Sequence, residues 1–407
     1  MAICLLTEIY HLKFRDISIL QIIAHMVPSL IATLETHFSS INDPRAQYSI
    51  EYKLNDIIVI TICAVICGAD TWGEVESFGN SKHEWLSGFL ELKNGIPSHD
   101  TFERLFARLK PKELQLCFLN WIQSVFKITE GQVIAIDGKT LRGACERGKN
   151  RSLIHMVSAW ATENRLVLGQ CKTEEKSNEI TAIPELLKRL DLTGATVTID
   201  AMGAQKTIAK QIIEKGANYV FSLKGNQGDL HQDVLQLFDA AFAKRFHGID
   251  HEFYETQDKG HGRLETRRYW LMGQTQYLIG AELWDGLSYV GCVESIRTLK
   301  GKTSIEKRYY ILSGSPTITQ FTHAVRAHWG IENRLHWMLD VGFREDQSRA
   351  CLGHSAENMA VIRHIALNLL SHDKTKKGGI HAKRLTAGWD TNYLERLLTQ
   401  SLDPSKL

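Results

Sequence analysis

GQVIAIDGKTLRG, residues 131–143, is the stretch whose reading decides the fold. Val133–Ile136 form an unbroken apolar run that ends in Asp137, without the alternation of a half-exposed strand. That pattern predicts a strand covered on both faces, as in sheets with helices on each side. SLIHMVSAWAT (152–162) and LVLGQCKTEE (166–175) read as two further strands, making a three-strand meander. EITAIPELLKRLDLTG (179–194) then reads as a helix closing at Gly194, and ATVTIDAMGAQ (195–205) as a strand ending in Asp200. KTIAKQIIEKGA (206–217) is helical and NYVFSLKG (218–225) a strand, so the order β-β-β-α-β-α-β predicts a mixed α/β sheet.

Upstream, about 50–130 reads as helical, through YKLNDIIVITICAVICGA, TWGEVESFGNSKHEWL and KELQLCFLNWIQSVF. Pro97 and Ser98 precede a short basic amphipathic helix there, which reads either as a plain helix start or as the second helix of a helix-turn-helix. Residues 1–49 mix apolar and polar positions without clean caps. Downstream, 226–312 breaks the alternation. After a helix near 229–246, the segments HEFYETQ, RLETRRYWLM, SYVGCVESIR and EKRYYILSG read as strands of a β-rich insertion. SAENMAVIRHIALNLLSH (355–372) predicts a strongly amphipathic helix, followed from about 373 by a basic, polar tail.

A chain of 407 residues with 43% hydrophobic and 23% charged residues is ordinary for a globular protein with one large core and a smaller domain or two. The net charge of +2 is close to zero, so a nucleic-acid surface must come from local clustering of Lys and Arg. Eight cysteines without a C-x-x-C argue for reduced thiols and an intracellular, cytoplasmic protein. The longest apolar run, Ile57 to Ala69, is too short to span a bilayer.

FTHAVRAHWGIENRLHWMLDVGFREDQSR (321–349) predicts a helix with two stripes. Ala327, Ile331, Leu335 and Met338 are apolar, while His328, Glu332, His336 and Asp340 recur every four residues. Ligands of open α/β sheets collect at the carboxyl ends of strands, so Asp137 and Asp200 are expected at one edge, although an acid after a strand is also a common turn residue. With a helical Glu332 they would form an all-oxygen site suited to Mg²⁺ or Mn²⁺. Two such ions suit phosphodiester displacement. Asp340 is the nearest rival for the third position, but two helical turns displace it about 12 Å along the axis. Glu345 and Asp346 are expected beyond the helix end, where rigid placement is harder.

The sheet edge is locally basic. Lys139, Arg142, Arg147, Lys149 and Arg151 follow the first acid, Lys172 and Lys176 lie in KTEEKSNE, Lys224 and Asn226 in LKGNQG, and Arg334, Arg344 and Arg349 flank the third. Lys139, Arg142, Lys176, Lys224, Asn226, Arg334, Arg344 and Arg349 are the expected DNA contacts, through phosphates. GACERGKN (143–150) resembles a phosphate-binding loop but ends in Asn150 and precedes a strand. The histidines 328, 336, 354 and 364 lack H-E-x-x-H spacing or a cysteine cluster, so zinc is not expected.

Taken together, IAIDGKTLRG, KTEEKSNEITAIPELL, IDAMGAQ, SLKGNQG, HWGIENRLHWMLDVGFREDQSR and IRHIALNLL resemble the H-repeat-associated branch of the bacterial DDE insertion-sequence transposases, from about Tyr52 to the C-terminus. The resemblance implies an α/β, ribonuclease H-like mixed sheet as catalytic core (131–372), a β-rich insertion at about 226–312 and an N-terminal helical domain (50–130). It implies Asp137, Asp200 and Glu332 as the triad, with a divalent cation as cofactor. The expected partners are double-stranded DNA, at element ends and target, and a second copy in a synaptic homodimer, with nucleoid association when DNA is bound. It also exposes departures. The broader family has a Tyr, an Arg and a Lys around its Glu, and the corresponding positions here hold Val325, His328 and Leu339. An inactive relic that keeps fold and DNA binding is the alternative.

Overall fold

The computed structural model describes residues 36–125, 131–141, 154–173, 179–260 and 263–399. Its first part is helical, as the pattern predicts. α1 (Leu54–Ile66) is buried from Asp56 to Ile66, all the way round. α2 (Trp72–Ser81) starts at a capping box, in which the Thr71 side chain accepts from the Glu74 backbone N–H and the Glu74 carboxylate accepts from the Thr71 backbone N–H. α3 (His83–Leu86), α4 (His99–Arg108) and α5 (Pro111–Val125) follow. The basic amphipathic helix expected after Pro97 is α4, which buries Phe102, Leu105 and Phe106.

Next come β1 (Val133–Leu141), β2 (Ile154–Ala161), β3 (Leu166–Thr173), α6 (Glu179–Arg189), β4 (Thr196–Ile199), α7 (Lys206–Glu214), β5 (Asn218–Leu223) and α8 (Asp229–Ala243). β6 (Glu252–Gly260), β7 (Arg263–Met272), β8 (Leu287–Leu299) and β9 (Lys302–Ser313) complete one nine-stranded sheet ordered β3-β2-β1-β4-β5-β9-β8-β7-β6. β1 pairs antiparallel with β2 and parallel with β4, and β4 pairs parallel with β5. This half is the mixed ribonuclease H-like arrangement, with the apolar run of β1 at its centre.

The strands of the expected β-rich insertion continue this sheet, because β9 returns antiparallel along β5 from Val220↔Leu312 to Leu223↔Tyr309. Their far ends, such as Glu252–Gly260, are largely exposed.

α9 (Ile318–Gly330) then packs across the sheet and runs on into two π-helical stretches, Ile331–His336 and Met338–Gly342. α10 (Ser355–His372) corrects the amphipathic expectation, since it is buried from Ser355 to Leu370. It lies between the helical part and the sheet, and each side holds it by a buried amide. Asn358 donates to the Phe106 and Leu109 carbonyls, while Asn368 exchanges two hydrogen bonds with the backbone of Val167 at the free edge of β3. The polar tail is also overturned: α11 (Ile380–Trp389) and α12 (Thr391–Thr399) pack back, with Lys383 and Arg384 buried. Lys383 donates to the Leu370 carbonyl and Arg384 to the carbonyls of Val65, Ala69 and Gly342, so these cations close helix ends. No helix among the described residues is long and apolar enough to cross a membrane.

Candidate active site

The parallel register of β1 and β4 sets the site. Ile136 lies opposite Ile199, so the next residues, Asp137 inside β1 and Asp200 just past the end of β4, stand at the same level. Asp200 is fixed by its own turn, where one carboxylate oxygen accepts from the N–H groups of Met202 and Gly203, both at 3.1 Å. Gly203 is required there, because a Cβ would fall 2.4 Å from Ile199 Cγ2.

Asp137 is largely buried, and its carboxyl is pushed up to about 7, first by burial and then by the charges of Asp200, Glu332 and Glu179. Glu332 therefore lies near enough to be felt at Asp137. Its segment is docked on both sides: one turn before, His328 Nδ1 lies 3.0 Å from Thr198 Oγ1 on β4, and one turn after, His336 Nδ1 lies 3.7 Å from Asp137 Oδ2. Burial pulls both imidazoles down to about 4, so both are neutral at pH 7. Glu332 itself is exposed, on the first wide turn of the π-helical segment. Such a turn re-aims side chains that a straight α-helix would keep on one row.

Sequence reasoning missed Glu179. A Cβ at Gly138 would fall 2.2 Å from Glu179 Oε1, so only glycine lets that carboxylate lie against β1 beside Asp137. Its one sequence signal is an acid in the first turn of a helix, common everywhere and therefore silent. Among the described residues, no three His, Cys, Asp or Glu side chains already form a group that could hold a metal ion.

Residues 128–369 match the family model described as Transposase DDE domain, and residues 35–122 match that described as DDE_Tnp_1-associated. The chain belongs to the DDE transposase family. It is 44% identical over 372 residues to the putative transposase YncI of Escherichia coli O157:H7, covering 90% of this chain and 95% of that one. It is 41% identical over 373 residues to the H repeat-associated putative transposase YhhI of Escherichia coli K12, covering 90% and 98%. The inactive transposase YbfQ of the same strain is 40% identical over 77 residues, 19% of this chain. The piggyBac transposase synaptic complex with hairpin DNA is similar at a TM-score of 0.41 and 12% identity, covering 93% of this chain and 81% of that one.

Several expected DNA contacts of this DDE transposase are otherwise engaged. Lys139 is the clearest correction: it is largely buried, and Nζ lies 2.5 Å from Asp340 Oδ1 and 2.6 Å from Glu345 Oε2. Two carboxylates draw it inward, away from solvent. The same pairing occupies both Asp340 and Glu345. Contrary to expectation, Glu345 is rigidly placed, fully buried on a short 3₁₀ turn with Arg363 at 3.8 Å. Lys172 pairs with Glu357 at 2.7 Å, and the Asn226 amide donates to the Ala201 carbonyl at 2.6 Å, tying its loop beside Asp200. Lys224, Arg334, Arg344 and Arg349 remain exposed, although Arg344 donates to Gln347. Arg142, Arg147, Lys149, Arg151 and Lys176 lie outside the described residues, as does the phosphate-loop look-alike 143–150.

Proposed function

We propose that this DDE transposase cuts DNA at the ends of a mobile element and joins the freed ends to a target, with Asp137, Asp200 and Glu332 as its catalytic and metal-holding carboxylates. The observation that carries the reading is the level register of β1 and β4, which makes neighbours of Asp137 and Asp200. The donor set fits the expected cofactor: three carboxylates are all-oxygen ligands of the kind Mg²⁺ and Mn²⁺ prefer. Asp137, held up to about 7 by burial first and by the neighbouring acids next, marks a place where a cation would relieve repulsion. When bound, two divalent cations sharpen an attacking oxygen and stabilise the leaving 3′-oxygen.

The chain's own residues do the positioning. Asp200 is oriented by its turn, and Asp137 is held in the strand. Glu332 is set by the packing of His328 and His336 on either side of it. Neutral imidazoles there orient the segment without competing with a metal for the acids. We take the divisions 50–130, 131–372 and 373–407 as the working domains, a second copy as the synaptic partner, and cytoplasm or nucleoid as the location.

Cleavage in Mg²⁺ tests the reading. Asp137→Asn or Asp200→Asn is expected to abolish cutting while leaving duplex affinity nearly intact, since each removes ligand charge and little volume. Cutting near the parental rate in either variant would remove that residue from the site. The second reading, a relic that binds DNA without cutting, is favoured by His328: it stands where the broader family has an arginine, yet it is neutral and held by Thr198. A wild-type chain that binds but never cuts in Mg²⁺ or Mn²⁺ would select it.

A further inference from the structure

A groove of about 910 Å³ runs between α9 and the strands β7, β8 and β9, and its lining reaches Asn333 and Arg334, the residues directly after Glu332. Seven arginines line it (165, 263, 267, 297, 308, 326 and 334) against three glutamates (163, 265 and 306), and no lysine does. Seven minus three leaves +4 on this one surface, in a chain whose 48 Lys and Arg nearly cancel 46 Asp and Glu. The positive charge that overall composition hides is gathered here.

We infer that this groove holds the phosphodiester backbone of the DNA strand continuing away from the reacting phosphate. The proposal rests on the DNA-cutting reading above and deepens it. A lining whose Lys and Arg positions are all arginine has the chemistry of phosphate recognition, because the planar guanidinium presents a fixed fork to two phosphate oxygens, whereas lysine offers a point charge. The forks are already arranged. Arg267 is bonded to Glu265 at 2.5 Å and to Asp258 at 3.1 Å, Arg326 shares that Asp258, and Arg308 is held by Glu306 at 2.9 Å with its guanidinium 4.6 Å from the centre of the Trp329 ring.

The Arg326–Asp258 and Arg308–Glu306 pairs lie near the surface, where ion pairs contribute little to stability, so exchanging their carboxylates for a phosphate costs little. Arg297 is exposed at the rim. α9 itself presents Arg326 beside the apolar Val325 and Ala327, while four of the seven arginines, 263, 267, 297 and 308, come from the strands facing it. This explains how a DNA path can persist where the helix has a neutral His328 and an apolar Val325.

The test is the salt dependence of binding to a labelled duplex with a single-stranded 3′ extension, for the full-length protein and for Arg297→Gln, Arg308→Gln and Arg326→Gln. Each variant is expected to lower the slope of log affinity against log salt by about 0.7 to 0.9. Lys210→Gln, exposed on α7 and outside the groove, is expected to leave it unchanged. Unfolding temperatures accompany the measurement, and Arg297→Gln alone decides if a paired variant loses its fold. If the parental protein cuts DNA in Mg²⁺ while the arginine variants keep its slope, the groove is overturned and the nuclease reading stands. If it cuts nothing but the slopes still fall, the groove is supported and the nuclease reading fails. A parental protein that binds no DNA, or one from which polyglutamate displaces DNA as well as an oligonucleotide does, overturns the groove.

Discussion

Replacing Lys139 with Met removes the charge that ties β1 to the segment after Glu332. Lys139 is 10% exposed, Glu345 2% and Asp340 33%. The two acids respond differently to the same lysine: Glu345 is held below its ordinary range, with Lys139 and Arg363 overcoming burial, whereas Asp340 is raised, chiefly by burial. Glu345 is the tighter partner because no water shares its charge. Breaking a buried pair by deleting one member costs about 3–5 kcal/mol, since the remaining charge is left uncompensated.

Asp340 recovers hydration at the surface and Arg363 still faces Glu345, so the low end, about 3 kcal/mol, is the appropriate figure. At about 2 °C per kcal/mol, the low end for large domains, the melting temperature of Lys139→Met should fall by roughly 6 °C. The sign with pH follows from Glu345. Its depressed folded pKa supplies stability above the unfolded value of 4.5, which is lost as pH falls through the folded value. The deficit of Lys139→Met should therefore be largest near neutral pH and shrink below about 4.5, where an unpaired Glu345 takes up a proton. Differential scanning fluorimetry at several pH values decides it: a melting temperature equal to the parent's, or a deficit that does not shrink below about pH 4.5, would refute the clamp.

Two further outcomes concern the acids themselves. Glu332→Gln is expected to eliminate divalent-metal cleavage, whereas Asp340→Asn should leave a measurable fraction, because Asp340 is committed to Lys139; single-turnover cleavage of the two variants would expose the reverse pattern at once. In metal-free protein, Asp137 has a folded pKa of about 7 against an ordinary 3.8, so it favours the native state when protonated and withdraws that support as pH rises between the two values. Asp137→Asn should abolish this part of the stability profile, and denaturant titrations at pH 5 and pH 8 that show equal variant-to-parent differences would rule it out.

Much of this protein is legible in one dimension. The apolar run before Asp137, the second before Asp200 and the helical spacing around Glu332 are local patterns, and each corresponds to an element observed in the structure. Periodicity reports what a residue's immediate neighbours will do, and it did so for nearly every strand. It is silent about what lies across space. The pairing of β9 with β5, which joins the strands of the β-rich insertion to the sheet, depends on residues some ninety positions apart. Lys139, read as a phosphate contact, is buried by Asp340 and Glu345 from two hundred positions away. The helix through Glu332 widens into π turns, a departure that period counting does not register. Glu179 reaches the site only because Gly138 leaves room for it, and the charge of the arginine groove cancels in the composition until strands and helix bring it together. Local order is written in sequence spacing, but charge pairing and burial are settled by which distant segments the folded sheet makes neighbours.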